Sequence, residues 1–123
     1  MNAYIRVMSV TIYHNPRWGK SRNSVGILND KGVKYNIIKY IETPPSPSEL
    51  KIIAKKLNLR AKDIIRIGEQ DFKNLNVSEQ KLNNDEEMFE IMSENPKIIE
   101  RPIIINGNKA CIGRPPENIL KIL

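Results

Sequence analysis

The residues of this chain with the most capacity for chemistry crowd into one stretch, His14-Asn15-Pro16-Arg17-Trp18-Gly19-Lys20-Ser21-Arg22. Asn-Pro followed by Gly is turn chemistry. Gly19 permits close backbone approach, Ser21 can donate a hydrogen bond, and Arg17, Lys20 and Arg22 add positive charge. Where a strand enters such a turn and a helix leaves it, backbone N–H groups and the positive end of a helix dipole face whatever sits beside residue 18. That arrangement suits an anion, and the same residues would also serve simply to cap a helix. The stretch holds no thiol, because the one cysteine of the chain is Cys111 and its one histidine is His14.

A single cysteine excludes an intramolecular disulfide, a multi-cysteine zinc site and a Cys-x-x-Cys redox pair. No metal site is expected, and a reducing, cytosolic setting is the default. No apolar run approaches the roughly 20 residues of a membrane span, and Met1 to Val10 lacks the apolar core of a signal peptide. The length of 123 residues, 40% of them apolar, fits one domain. The net charge of +6 is unevenly placed. Residues 1–40 carry seven basic side chains against one acid, Asp30, whereas residues 41–123 carry thirteen of each sign. An anionic ligand near the first third fits this better than a diffuse basic coat. Charge so confined, with no ladder of aromatic residues, speaks against nucleic-acid binding.

The elements that must position the turn follow from local pattern. Ser9 to His14 alternates in a strand-like way, Lys20 to Asp30 is helix-compatible and stops at Lys31-Gly32, and Val33 to Ile41 forms a second strand ended by Pro44-Pro45. A parallel βαβ unit results. Ser46-Pro47-Ser48-Glu49 has the form of a capping box opening a helix whose apolar face is Leu50, Ile53, Ala54 and Leu57. A short helix over Ala61 to Arg66 follows, then a polar connector from Gly68 to Asn84. Asp85 to Ser93 is a helix with acidic residues in its first turn. Arg101 to Ile105 and Lys109 to Ile112 form a hairpin about Asn106-Gly107, and Pro115 to Leu123 makes a last helix. This order is that of an α/β, thioredoxin-like (glutaredoxin-type) mixed sheet with a helical insertion.

The segment from Ile12 to Arg22 resembles the active-site loop of the glutaredoxin-coupled arsenate reductase (ArsC) family. The likeness continues at Tyr40-Ile41-Glu42-Thr43-Pro44-Pro45, from Asn95 to Ile104, and from Ile112 to Glu117. It covers nearly the whole chain from about Met8, leaving residues 1–7 as a non-family extension and Met8 as a candidate original start. In that family a loop thiolate attacks the arsenic of arsenate and water leaves. Glutathione with glutaredoxin then resolves the adduct, and arsenite is formed. The resemblance thus implies arsenate or a similar oxyanion as substrate, glutathione and glutaredoxin as reductants, and no bound cofactor.

The position of the family's nucleophile is occupied here by Trp18, whose indole has no nucleophilic lone pair and no thiol–disulfide chemistry. Tryptophan and cysteine codons differ by one base. By resemblance, Arg66, Arg101 and Arg114 match the three arginines that bind the oxyanion, a task suited to a planar, always-charged fork. Arg101-Pro102 matches the family's cis-proline step. His14 matches the histidine that helps hold the thiolate. Cys111 lies outside every family motif and is expected to be a small buried hydrophobe. An enzyme scaffold without its nucleophile, a non-catalytic oxyanion-binding protein, and an interaction module resembling the Spx regulators are the readings this pattern allows. Spx regulators share the fold and contact RNA polymerase, usually through a loop with a Cys-x-x-Cys switch. Trp18 and Ser21 stand at those two positions.

Overall fold

Val10–His14 forms strand β1, with Val10, Ile12 and Tyr13 buried, as β-branched and aromatic side chains favour on a covered sheet. The computed structural model describes residues 10–123, so the reading of residues 1–7 and Met8 lies outside the described residues. Helix α1, Gly19–Asp30, carries the chain back across the sheet to β2, Tyr35–Lys39, and it stops where Gly32 takes a positive φ of 65°. The hairpin of β3, Ile103–Asn106, and β4, Lys109–Ile112, completes a sheet of order β2-β1-β3-β4. β1 is parallel to β2 and antiparallel to β3, and β3 is antiparallel to β4. This is the mixed sheet of a thioredoxin-like α/β fold, as the order of elements implied.

The chain divides into two compact units. The first holds the described residues up to Tyr40 together with Arg101–Leu123, and the second is Ile41–Glu100. In the first unit Val10, Ile12, Leu28, Ile104, Ile119 and Ile122 form the core, with Val25, Ile27, Val33, Tyr35 and Cys111 packed against it.

The second unit is helical. Helix α2, Pro47–Leu57, opens on the expected capping box: the Glu49 N–H donates to Ser46 Oγ at 3.1 Å and the Ser46 N–H to Glu49 Oε1 at 3.3 Å. It buries Leu50, Ile53 and Ala54 and ends at Asn58 in the left-handed region (φ 59°). The polar connector forms two one-turn helices, α3 (Gln70–Lys73) and α4 (Glu79–Leu82). α5, Asp85–Glu94, is capped by Asn84 and buries Met88, Phe89 and Met92.

Three expectations shift. The helix placed over Ala61 to Arg66 is a single 3-10 turn, Ala61–Ile64, because Ile65 pairs with Ile99 in an antiparallel bridge. The Arg66 N–H donates to Ile98 O (2.7 Å) and the Glu100 N–H to Ile64 O (2.9 Å), backbone groups a continuing helix would have needed. The closing helix is likewise 3-10, Pro116–Lys121, with Asn118 N–H bonded to Pro115 O. The hairpin turn falls one residue later, on Gly107 and Asn108, since Asn106 still pairs with Lys109. Gly107 carries the positive φ of 63°.

Candidate functional site

Sheet register brings the sequence-predicted residues of the first unit to one end of the sheet. Parallel pairing sets His14, the last residue of β1, opposite Lys39, the last of β2. Antiparallel pairing sets Tyr13 opposite Ile103 and Ile103 opposite Ile112. The loop after β1, the Arg101-Pro102 step before β3 and the Gly113-Arg114 step after β4 therefore lie at the same end. In α/β sheets, ligand sites form beyond the carboxyl ends of parallel strands.

The loop itself is a braced turn. The Trp18 N–H donates to Asn15 O (3.0 Å), and the Arg17 N–H to Asn15 Oδ1 (3.1 Å). Arg22 Nη1 reaches back to Pro16 O (3.0 Å). Ser21 is fully buried, and its Oγ accepts a long bond of 3.4 Å from the Asn15 N–H. Trp18 is the N-cap of α1, with extended backbone (φ −107°, ψ 129°), and its carbonyl accepts from the Arg22 N–H at 3.1 Å. An indole offers no acceptor oxygen, so no side chain caps this helix end. Gly19 is the first residue of α1, where an added Cβ would meet only Arg22 Nη2, at 3.7 Å.

Arg101 and Trp18 are in direct contact. The guanidinium carbon stands 3.5 Å from the centroid of the indole, a close cation–π arrangement. Arg101 is only 6% exposed, whereas Trp18 is 44% exposed. The Arg101-Pro102 peptide is cis, as the motif implied, and so is Arg114-Pro115, which the sequence did not single out. Gly113 links the two steps. Its N–H donates to Pro102 O at 2.9 Å, and a Cβ on it would lie 2.7 Å from Ser24 Oγ and 2.9 Å from Pro102 Cγ. Arg114, next in the chain, is exposed.

His14 is 7% exposed, and its Nδ1 is buried without a hydrogen-bond partner among the described residues. Burial lowers its pKa, and the positive charges of Lys39 and Arg22 lower it further, so the ring is neutral at pH 7. Lys39 is the residue the sequence reading missed. It entered only as one of the basic side chains of the first third, and a signal lay in its position at the end of the strand parallel to β1.

Arg66 belongs to the second unit, where its side chain is 10% exposed and pairs with Glu69. Cys111 is half-buried in β4, and burial pushes its thiol up to about 11, against the opposing charge of Lys121. A thiol held in its protonated form is a poor nucleophile. Among the described residues no group of three His, Cys, Asp or Glu side chains could hold a metal ion, and no helix is long and apolar enough to cross a membrane.

Comparison with known proteins agrees with this architecture. A sequence model of the ArsC family matches residues 13–122. The chain is similar to the arsenate reductase of Haemophilus influenzae, with 44% identity over 117 residues that cover 94% of this chain and 100% of the relative. It is 40% identical over 115 residues to the uncharacterized protein YfgD of Escherichia coli, covering 93% of this chain and 96% of that one. The structure of an arsenate reductase from Vibrio cholerae superposes with a TM-score of 0.89 at 43% identity, over 96% of this chain and 100% of that chain. With matched residues running from the first strand to the closing 3-10 helix, the chain belongs to the ArsC family.

Proposed function

We propose that this protein retains the oxyanion-binding scaffold of the ArsC family and lacks its reductase chemistry. The observation that carries this reading is the residue at the N-cap of α1. Reduction of arsenate in this family begins with a thiolate at that point, and the indole of Trp18 can neither attack arsenic nor exchange with a disulfide. The reductant role of glutathione and glutaredoxin depends on that missing sulfur, so neither has a partner atom here.

The anion-binding part of the reading rests on the arginines. Arg101 and Arg114 stand at the sheet end that also receives the N-terminus of α1, with Gly19 and Ser21 in its first turn. By resemblance, Arg66, in the second unit, matches the third arginine of the family's set. We assign Arg101 and Arg114 to arsenate or a similar tetrahedral oxyanion. His14 keeps its place at the end of β1, without the thiolate it would serve.

The test is turnover by the full chain with arsenate, glutathione and glutaredoxin. No reduction above the protein-free background is expected. Measurable turnover would overturn the assignment.

A further inference from the structure

We propose that the outer edge of strand β2 is a docking site for an extended acidic segment of another protein, which joins the sheet there as a further strand. Strand addition of this kind draws affinity from main-chain hydrogen bonds and specificity from the side chains that flank them. β2 supplies both.

The register fixes which backbone groups face out. β2 lies at one end of the order β2-β1-β3-β4, so among the described residues no strand pairs with its outer side. The Val10 N–H donates to Lys34 O at 3.2 Å, with Val10 opposite Tyr35. In a parallel ladder the bonding groups of one strand alternate from side to side, residue by residue. Asn36 and Ile38 therefore turn their N–H and C=O toward β1, while Tyr35, Ile37 and Lys39 turn theirs outward. Such an unpaired row of donors and acceptors is a template for another strand.

The side chains select the partner. Ile37, at the middle of β2, is 44% exposed, and Lys34, just before the strand, and Lys39, its last residue, are exposed as well. No acidic residue lies between Lys31 and Ile41 to neutralise them. Lysines on an edge discourage pairing of like strands, and a second copy docked here would set its own lysines against these. The same charges attract carboxylates placed toward both ends of an incoming strand. An edge guarded against every partner would carry charge at its centre too, whereas Ile37 offers an apolar contact there.

The probe is a synthetic peptide, acetyl-Glu-Glu-Val-Thr-Val-Glu-Glu-amide, titrated calorimetrically into the full chain. Saturable binding is expected. By NMR, amide exchange at Ile37 and Lys39 should slow at least about tenfold, while Asn36 and Ile38, already bonded to β1, change little. Replacing the glutamates of the peptide by lysines, or methylating its three central nitrogens, should each weaken binding at least about tenfold. The double change Lys34→Glu, Lys39→Glu should do the same. Ile37→Pro removes an outward donor and leaves the β1 ladder its bonds, so it too should weaken binding. The methylated peptide serves where that variant is poorly folded. No binding, or equal binding of the lysine or the methylated peptide, would overturn the proposal. Concentration-dependent dimers in sedimentation, lost in Ile37→Pro, would assign the edge to a second copy and overturn it as well.

Discussion

Arg101 stacks on Trp18 with its guanidinium carbon 3.5 Å from the ring centroid. One member precedes the cis-proline before β3, and the other caps the helix that follows β1. Antiparallel pairing of these two strands, with Tyr13 opposite Ile103, carries the contact. The residue to which the proposed loss of chemistry is assigned thus also stacks on one of the proposed ligands, through an attraction of about 0.5–2 kcal/mol.

Trp18→Cys should restore at least weak arsenate reduction with glutathione and glutaredoxin, measured by arsenite formation against the unmodified chain. The introduced thiol would sit at a helix N-terminus beside Arg101, two features that lower a thiol pKa. A folded variant that stays inert would mean the loss extends beyond position 18.

Cys111 should resist alkylation in the native protein at pH 7–8 and react readily once the chain is unfolded in denaturant, followed by mass spectrometry. Its thiol is raised to about 11, so the folded state holds the proton more tightly than the unfolded state. That contribution to stability is complete below the unfolded thiol value and is lost as pH rises through about 11. Rapid native labelling at neutral pH would contradict the burial.

His14 sets the acid side. Its folded pKa lies below the ordinary value of 6.5, so protonation favours the unfolded chain. Stability present above pH 6.5 should fall as pH drops toward the folded pKa. As the one histidine of the chain, it can be followed without ambiguity by NMR. His14→Gln should flatten the dependence of melting temperature on pH between 5 and 7; an unchanged profile would exclude His14 as its source.

Gly113→Ala should cost about 1–3 kcal/mol in chemical denaturation, the range for forcing a methyl group into a packed site. The new Cβ would press on Ser24 Oγ and Pro102 Cγ at under 3 Å. Because Gly113 ties the Pro102 and Arg114 steps together, arsenate binding should weaken as well. A fully stable variant would show that the hairpin and α1 can separate without loss.

Much of the fold was legible because its signals are local. The Ser46–Glu49 capping box, the stop at Gly32 and the acidic first turn of α5 each depend on residues within one turn of one another. The helix expected over Ala61 to Arg66 failed where a distant partner intervened, since the bridge from Ile65 to Ile99 claims backbone groups a helix would use. In the site, the cis step at Arg101-Pro102 was evident from the motif. The second cis step and the bearing of Lys39 on His14 were not.

By itself the sequence determined what chemistry is possible: one cysteine at position 111 and an indole at 18 leave no thiol in the loop. No environment can activate a sulfur that the loop does not contain. Only the tertiary structure decided what the indole does instead. Stacking on Arg101 depends on the register of β1 against β3, which is set by long-range pairing and burial rather than by any neighbour in the chain.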